Sequence, residues 1–465
     1  LGRWSRGLGD VYKRQVFVFY HKEGNAMKKD PFKIHTLGTA ERLSPLPLSS
    51  DKGDQLFNFV TDSQKIVFKT GMEAYTKALN EGAQPLCVEK AGPRKKIFFN
   101  PEKTTAAIVT CGGLCPGINN VIRSLVMGLH YFYGVPRIIG IPYGYQGLGP
   151  ENTHPYHELT PDKVRDIHQF GGTILGSSRG GQEPADIVDS LLRLGVDMLF
   201  TIGGDGTLKG CEAIGREIES RGLNISVIGI PKTIDNDIDL IDKSFGFETA
   251  YDVASPIIRD AHNEAKGAYN GIAIVKLMGR DSGFIAASAA MAMPEVNFLV
   301  VPELPFQLEG ENGLLDLLER RLNAKHHAVI VVAEGAGQHL IESDAEIRDA
   351  SGNIKHKDIG VFLNAQIGAH FKAQNTEVTI KYIDPSYIIR SAPANASDSI
   401  FCNRLAYQAV HGAMAGKTRF VVGLLNNQLV YLPIEEVVQH RKKIDLEGEL
   451  WFAALQSTGQ PFTIG

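Results

Sequence analysis

From about residue 105 onward the chain alternates between short unbroken apolar runs and amphipathic stretches. The runs stand at residues 106–110 (AAIVT), 137–141 (RIIGI), 198–202 (MLFTI), 225–230 (ISVIGI), 272–277 (IAIVKL) and 329–333 (VIVVA). Continuous β-branched runs of this length suit parallel strands buried on both faces. Helix-type periodicity lies between them, at residues 184–194, 208–219 and 283–293. Strand and helix in alternation predict a doubly wound α/β fold. Most runs end in glycine followed by a polar or charged residue. In open α/β sheets ligands bind outside the carboxyl ends of the strands, so these endings are the places to look for chemistry.

Residues 27 to about 104 carry weaker periodicity and several breakers, such as the loop-like stretch 43–54 (LSPLPLSSDKGD). They have room to form an additional small N-terminal domain. Residues 5–15 (SRGLGDVYKRQ) resemble a translated sequencing adapter, so residues 1–26 are expected to be non-native and Met27 the natural start. No signal or transit peptide is visible, and the last residues, FTIG, show no peroxisomal-type address.

Composition narrows the classes. Among 465 residues, 48 basic and 52 acidic ones leave a formal charge of −4, and 43% of the chain is hydrophobic. That balance excludes a disordered chain and a strongly basic nucleic-acid binder. No apolar run reaches the roughly 18 residues of a membrane span. The five cysteines are odd in number and irregularly spaced, which argues against a disulfide framework and for a reducing cytoplasm. Cys111 and Cys115 have no second Cys or His pair nearby to complete a zinc site.

Three motifs carry the candidate chemistry. The first, Cys111 to Gly117 (CGGLCPG), joins a strand to a helix starting near Ile118; Gly112 and Gly113 let backbone N–H groups approach a phosphate. A purely structural turn explains any single glycine loop equally well. The second, Gly203-Gly204-Asp205-Gly206-Thr207, is again strand, loop, helix. It suits a polyphosphate at a helix N-terminus, with Asp205 placed to hold Mg²⁺, although Asp205 as a plain helix cap is the alternative. The third, residues 231–237 (PKTIDND), sets Asp235 and Asp237 two apart beside Lys232. In an extended segment the two carboxylates point the same way, one to accept a hydroxyl proton and one to position a metal-bound phosphate. An Asx-turn is the bland reading. Met278-Gly279-Arg280, Glu334-Gly335 and Tyr387-Ile388-Ile389-Arg390 also end apolar runs, and arginine there suits bidentate phosphate binding.

Together, PKTIDND, MGR, GSSRG (residues 176–180) and KYIDPSYIIRSAPANASD (residues 381–398) resemble the ATP-dependent 6-phosphofructokinases, in the long-form branch of plants, kinetoplastids and some bacteria. The resemblance runs over residues 105 to 423. It implies Mg²⁺-assisted transfer of the ATP γ-phosphoryl group to the 1-hydroxyl of fructose 6-phosphate. Asp235 matches the general base, with Lys232, Asp237 and Arg280 beside it as catalytic groups, and Asp205 matches the metal site. Gly112, Gly113, Tyr143, Arg179, Gly180, Gly204, Asp205, Gly206 and Thr207 match the ATP site. Thr233, Ile234, Asp235, Met278, Gly279, Arg280, Glu334, Lys381, Tyr387 and Arg390 match the sugar-phosphate site.

The resemblance also implies an α/β fold of two doubly wound domains with mainly parallel sheets and the active site in the interdomain cleft: an ATP-binding domain at 105–246 and 389–434, a fructose 6-phosphate domain at 247–388, a C-terminal segment at 435–465 packing across both, and a cytoplasmic homotetramer or homodimer. It departs from the short bacterial forms, which have an arginine where Gly271 stands, another near Lys381 and a histidine near Tyr387. Contacts to fructose 6-phosphate across a subunit interface are therefore open.

Donor choice turns on two positions. Pyrophosphate-using relatives carry Asp at Gly206, where a carboxylate crowds and repels the α-phosphate of ATP. Lys232 points the other way, since pyrophosphate enzymes share it, but long ATP forms pair it with the glycine. ATP is thus expected over pyrophosphate. Two other readings stand beside it: an NAD or lipid kinase, which rests on GGDGT alone, and a non-catalytic sugar-phosphate sensor, which would be marked by loss of Asp205, Asp235 or Arg280.

Overall fold

Two main sheets, of nine and four strands, form where the apolar runs stand. The computed structural model describes residues 30–80, 85–152, 154–341 and 356–465; the adapter-like segment and Met27 lie outside the described residues. In chain order the strands of these two sheets are β1 (Lys65–Val67), β2 (Cys87–Lys90), β3 (Thr105–Thr110), β4 (Arg137–Ile141), β5 (His157–Glu158), β6 (Met198–Gly203), β7 (Ser226–Pro231), β8 (Gly271–Leu277), β9 (Phe298–Val300), β10 (His327–Ala333), β11 (Thr379–Ile383), β12 (Phe420–Leu425) and β13 (Gln428–Pro433). The helices used below are α1 (Ile118–Met127), α2 (Pro184–Leu194), α3 (Asp205–Ser220), α4 (Phe247–Gly267), α5 (Phe284–Ala292), α6 (Ala396–Met414) and α7 (Glu449–Thr458).

The larger sheet runs β1-β2-β13-β12-β7-β6-β3-β4-β5. Its centre, β12-β7-β6-β3-β4, is parallel, with antiparallel strands at both edges. Every residue of β3, β6 and β7 is buried, as strands covered on both faces require. The smaller sheet, β9-β10-β8-β11, is parallel throughout. Helices cover the faces. In α3, Leu208, Cys211, Ile214 and Ile218 recur on one side and are buried, while Lys209 and Arg216 on the other face solvent.

The extension before residue 105 adds to the larger sheet. Strand β2 pairs antiparallel with β13, and β1 with β2. It thereby covers the backbone edge that β13 otherwise presents to water. Ion pairs fasten it there: the buried Lys417 holds Glu89 at 2.7 Å and the exposed Asp62 at 3.0 Å, and Arg94 binds the same two carboxylates.

A fully buried carboxylate marks the junction between the two sheets. Asp398, in the first turn of α6, accepts hydrogen bonds from Gly246 N (2.9 Å), Thr249 N (2.7 Å) and Thr249 Oγ1 (2.6 Å) at the start of α4. A negative charge at that helix N-terminus is electrostatically favourable. At the other end of the chain, α7 packs on α5, with Trp451 buried and Ser457 Oγ donating to the Ala290 carbonyl. Among the described residues no helix is long and apolar enough to cross a membrane.

Candidate active site

The order of the larger sheet reverses between β3 and β6, since the chain builds outward to β4 and then returns to lay β6 and β7 on the other side. Such a switch point opens a crevice at the carboxyl ends of the strands. The glycine loop after β3 and the Gly-Gly-Asp-Gly-Thr loop after β6 face each other across it, lining a cavity of about 590 Å³. The 231–237 loop after β7, Met278 and Arg280 after β8, Arg179 and Gly180, Arg390 and Arg441 complete its walls.

On the larger sheet's side the loops offer mostly backbone. Gly112 has φ +85° and Gly117, which caps α1, has φ +100°, left-handed conformations that glycine adopts without strain. Lys232 reaches under the first loop, its Nζ donating to the Gly113 carbonyl at 2.8 Å. It is fully buried, and desolvation pulls its pKa down, partly offset by Cys115, Cys111 and Asp235. Asp205 opens α3, and the cap position itself belongs to Gly204. Its carboxylate pairs with Lys209 at 3.0 Å and with Arg441 at 3.5 Å. A Cβ at Gly206 would meet nothing within 4 Å, so the space beside Asp205 is open.

The 231–237 loop is not extended. Asn236 takes φ +54°, and Thr233 Oγ1 accepts from Asp235 N (3.1 Å) and donates to Asp237 Oδ1 (3.2 Å). The two carboxylates therefore enter the cleft from a turn, held by a hydroxyl and by the Asn236 Oδ1 contact to Ser244 N at 3.0 Å. Asp235 is buried and lines the cavity, and its Oδ1 has no hydrogen-bond partner among the described residues. Its pKa is pushed up to about 7, first by burial, then by the Asp237 and Glu334 charges, against the pull of Arg280 and Lys232. A buried acid poised near neutrality beside cations is what proton abstraction from a hydroxyl requires.

The smaller sheet supplies charged side chains on constrained backbone. Arg280 has φ +49°, and a Cβ on Gly335 would lie 1.9 Å from its carbonyl oxygen, so the two strand ends touch. The Arg280 guanidinium stands 4.0 Å from Asp235 Oδ2. Glu334 follows β10, with its pKa raised by burial and opposed by His356, Arg280 and Lys276.

Not every residue picked out from the sequence lines the cavity. Tyr143 (φ +52°) lies over Gly176 and against His154, at 4.6 Å between rings. Lys381 is exposed on β11, the edge strand of the smaller sheet, whereas Lys276 on the neighbouring β8 pairs with Asp358 at 2.6 Å and Asp384 at 2.9 Å. Tyr387 is 81% exposed and backs Arg390, whose guanidinium sits 5.9 Å from the ring centre. Gly279 is in the turn that aims Arg280, and Gly271 starts β8, where a Cβ would stand 2.0 Å from the Ala265 carbonyl oxygen. That close approach leaves no space for the arginine of the short forms. Several lining residues escaped the sequence reading, Tyr145, Gln182, Lys209 and Arg441 among them; the only signal for Arg441 is the basic run Arg441-Lys442-Lys443 after the last strand.

A doubly wound fold with phosphate-type glycine loops facing acidic and basic side chains across one cleft defines a phosphoryl-transfer enzyme. Residues 105–413 match the family model described as Phosphofructokinase, and the chain belongs to that family. It is 50% identical over 440 residues to the ATP-dependent 6-phosphofructokinase of Borreliella burgdorferi, covering 93% of this chain and 97% of that one. To the ATP-dependent 6-phosphofructokinase of Trypanosoma brucei brucei it is 48% identical over 370 residues, covering 79% and 75%. Among solved structures, the pyrophosphate-dependent phosphofructokinase of Marinobacter aquaeolei superposes with a TM-score of 0.63 at 20% identity, over 78% of this chain and 92% of that one. At that identity the likeness shows the fold alone.

Proposed function

We propose that the chain is an ATP-dependent 6-phosphofructokinase, transferring the γ-phosphoryl group of ATP to the 1-hydroxyl of fructose 6-phosphate and giving ADP and fructose 1,6-bisphosphate. The observation that carries this reading is Asp235: buried, with one unpartnered oxygen, pushed up to about 7, and set between the glycine loops and Arg280. Its carboxylate accepts the 1-hydroxyl proton as the sugar oxygen bonds to the γ-phosphorus and the bond to ADP breaks. Lys232 and Arg280 flank that point and stabilise charge on the transferring oxygens. The N-terminus of α3 and the glycines around it receive the polyphosphate. Arg390, Thr233 and Met278 shape the acceptor side.

The donor set fits Mg²⁺. Asp205 offers a hard carboxylate oxygen, Asp237 stands within reach of the same guanidinium, and the space at Gly206 is open. Asp205 would hold Mg²⁺ there, and the ion would supply neutralisation of phosphate charge. Open space at Gly206 also favours ATP over pyrophosphate as donor. The same reading places the enzyme in the cytoplasm as a homotetramer or homodimer acting on two small molecules.

The test is turnover of fructose 6-phosphate with Mg²⁺ and either ATP or pyrophosphate as sole donor. Product with ATP alone is expected. Product with pyrophosphate alone overturns the donor assignment, and sugar-phosphate binding without turnover means a sensor.

A further inference from the structure

After β13 the chain turns back over the mouth of the cleft, and residues 441–444 are pinned on both sides of it. On one side Arg441 bridges Ile238 in a β-type contact, Lys442 N donates to the Asp237 carbonyl at 2.9 Å, and Lys442 Nζ donates to Asn236 Oδ1 (3.2 Å), Ile241 O (3.0 Å) and Asp242 O (2.9 Å). On the other side Ile444 N donates to Glu303 Oε1 at 3.0 Å, and the same oxygen accepts from Gly283 N at 3.0 Å, just before α5. The strap thus ties the loop that carries Asp235 and Asp237 to the start of the helix behind Arg280. It also holds the Arg441 guanidinium in the cavity wall, with Asp205 Oδ2 at 3.5 Å, Asp281 Oδ2 at 3.7 Å and Asp237 Oδ2 at 4.0 Å.

A guanidinium among three carboxylates is well placed while they carry their charge alone. Asp205 Oδ2 is already shared with Lys209. A divalent cation at that oxygen repels a guanidinium a few ångströms away. The phosphate oxygens that arrive with the cation are then the nearest anionic partners, and a planar fork matches them in pairs. We propose that Arg441 is a further donor-binding residue: its guanidinium bridges Asp205, Asp237 and Asp281 in this structure, and on binding of ATP with its metal it passes from Asp205 to the phosphate oxygens. The proposal rests on the reading of the cleft as an ATP site.

Calorimetric titration of the full chain with ATP and Mg²⁺, together with Mn²⁺ alone followed by electron paramagnetic resonance, tests it in wild type, Arg441→Gln and Arg441→Lys. Loss of a charged hydrogen-bonding partner predicts ATP binding about tenfold weaker or more in Arg441→Gln, with part of the loss recovered in Arg441→Lys. Mn²⁺ alone should bind Arg441→Gln several-fold more tightly than wild type, because the competing cation is gone. A merely structural role does not produce that gain. ATP affinity within about twofold of wild type in Arg441→Gln overturns the proposal, and so does weaker ATP binding with unchanged Mn²⁺ binding. If Arg441→Gln fails to fold, Arg441→Lys decides: it keeps the charge without the fork, and unaltered ATP affinity there is equally decisive. A wild type that binds Mn²⁺ but no ATP overturns the donor reading itself.

Discussion

On the proposed function, the two sides of the cleft would hold their ligands by opposite means. The larger sheet offers backbone at Gly112 and Gly204 and open space at Gly206, with one lysine underneath. The smaller sheet offers charge: Arg280 lines the cavity from a strand end pressed against the next one at Gly335. A polyphosphate is long and multiply charged, and many backbone dipoles at a helix end receive it well. A sugar phosphate has to be oriented so that one hydroxyl reaches one base, which takes a few side chains fixed in place. Glycine on one side and left-handed arginine on the other follow from that difference.

The comparison can be broken at several points. The largest effect is expected from Asp235→Asn, which keeps the shape and removes the base: kcat should fall by about 10²–10⁴-fold while calorimetric affinities for ATP and fructose 6-phosphate stay close to wild type. A loss confined to KM would mean that Asp235 only binds. Next, Arg280→Ala should lower kcat/KM for fructose 6-phosphate by roughly 10²-fold and leave ATP affinity nearly intact, since the charge lies on the acceptor side. Gly206→Asp reverses that pattern. Its position is not left-handed and nothing stands within 4 Å of a Cβ, so the fold should melt as wild type does. ATP affinity should nevertheless drop about tenfold or more through charge repulsion. If sugar affinity drops equally, the division between the two sides fails.

The smallest effect is in the pH profile. The base works deprotonated, and the Asp235 carboxyl is pushed up to about 7. Hence kcat/KM should be level above neutrality and fall as pH drops below about 7, by tenfold per unit at the limit. Asp237 raises that pKa and Arg280 lowers it. Asp237→Asn should therefore move the limb to lower pH, and residual activity of Arg280→Ala should show it at higher pH. A limb that stays in place in both variants belongs to some other group.

Much of the fold was legible because its signals are local. An unbroken run such as 198–202 has few ways to be satisfied except as a buried strand, and it reappears within β6. The stretch 184–194 coincides with α2, which begins on a proline and ends at Gly195 with φ +64°. The glycine loops were legible for the same reason, since their conformations depend on neighbours a few residues away. For the 231–237 loop the extended reading fails, and the chain takes a turn, as the alternative reading had it. Its turn depends on Ser244 and Lys442, the latter some 200 residues distant, which hold Asn236. Tyr387 and Lys381 carry suitable chemistry, yet which way their elements face is set by the packing of the smaller sheet.

Sequence alone determined the alternation of strand and helix, the phosphate-type loops at strand ends, and the pairing of acidic with basic groups beside them. Each is a short-range consequence of side-chain shape or backbone freedom. Tertiary structure alone decided that the extension closes the edge at β13, that Asp398 caps the helix at the junction, and that Arg441 comes back over the cleft to face Asp205. Those contacts join residues far apart in the chain, and no local preference encodes them. They form because buried backbone and buried charge must find partners wherever the packed chain brings one within reach.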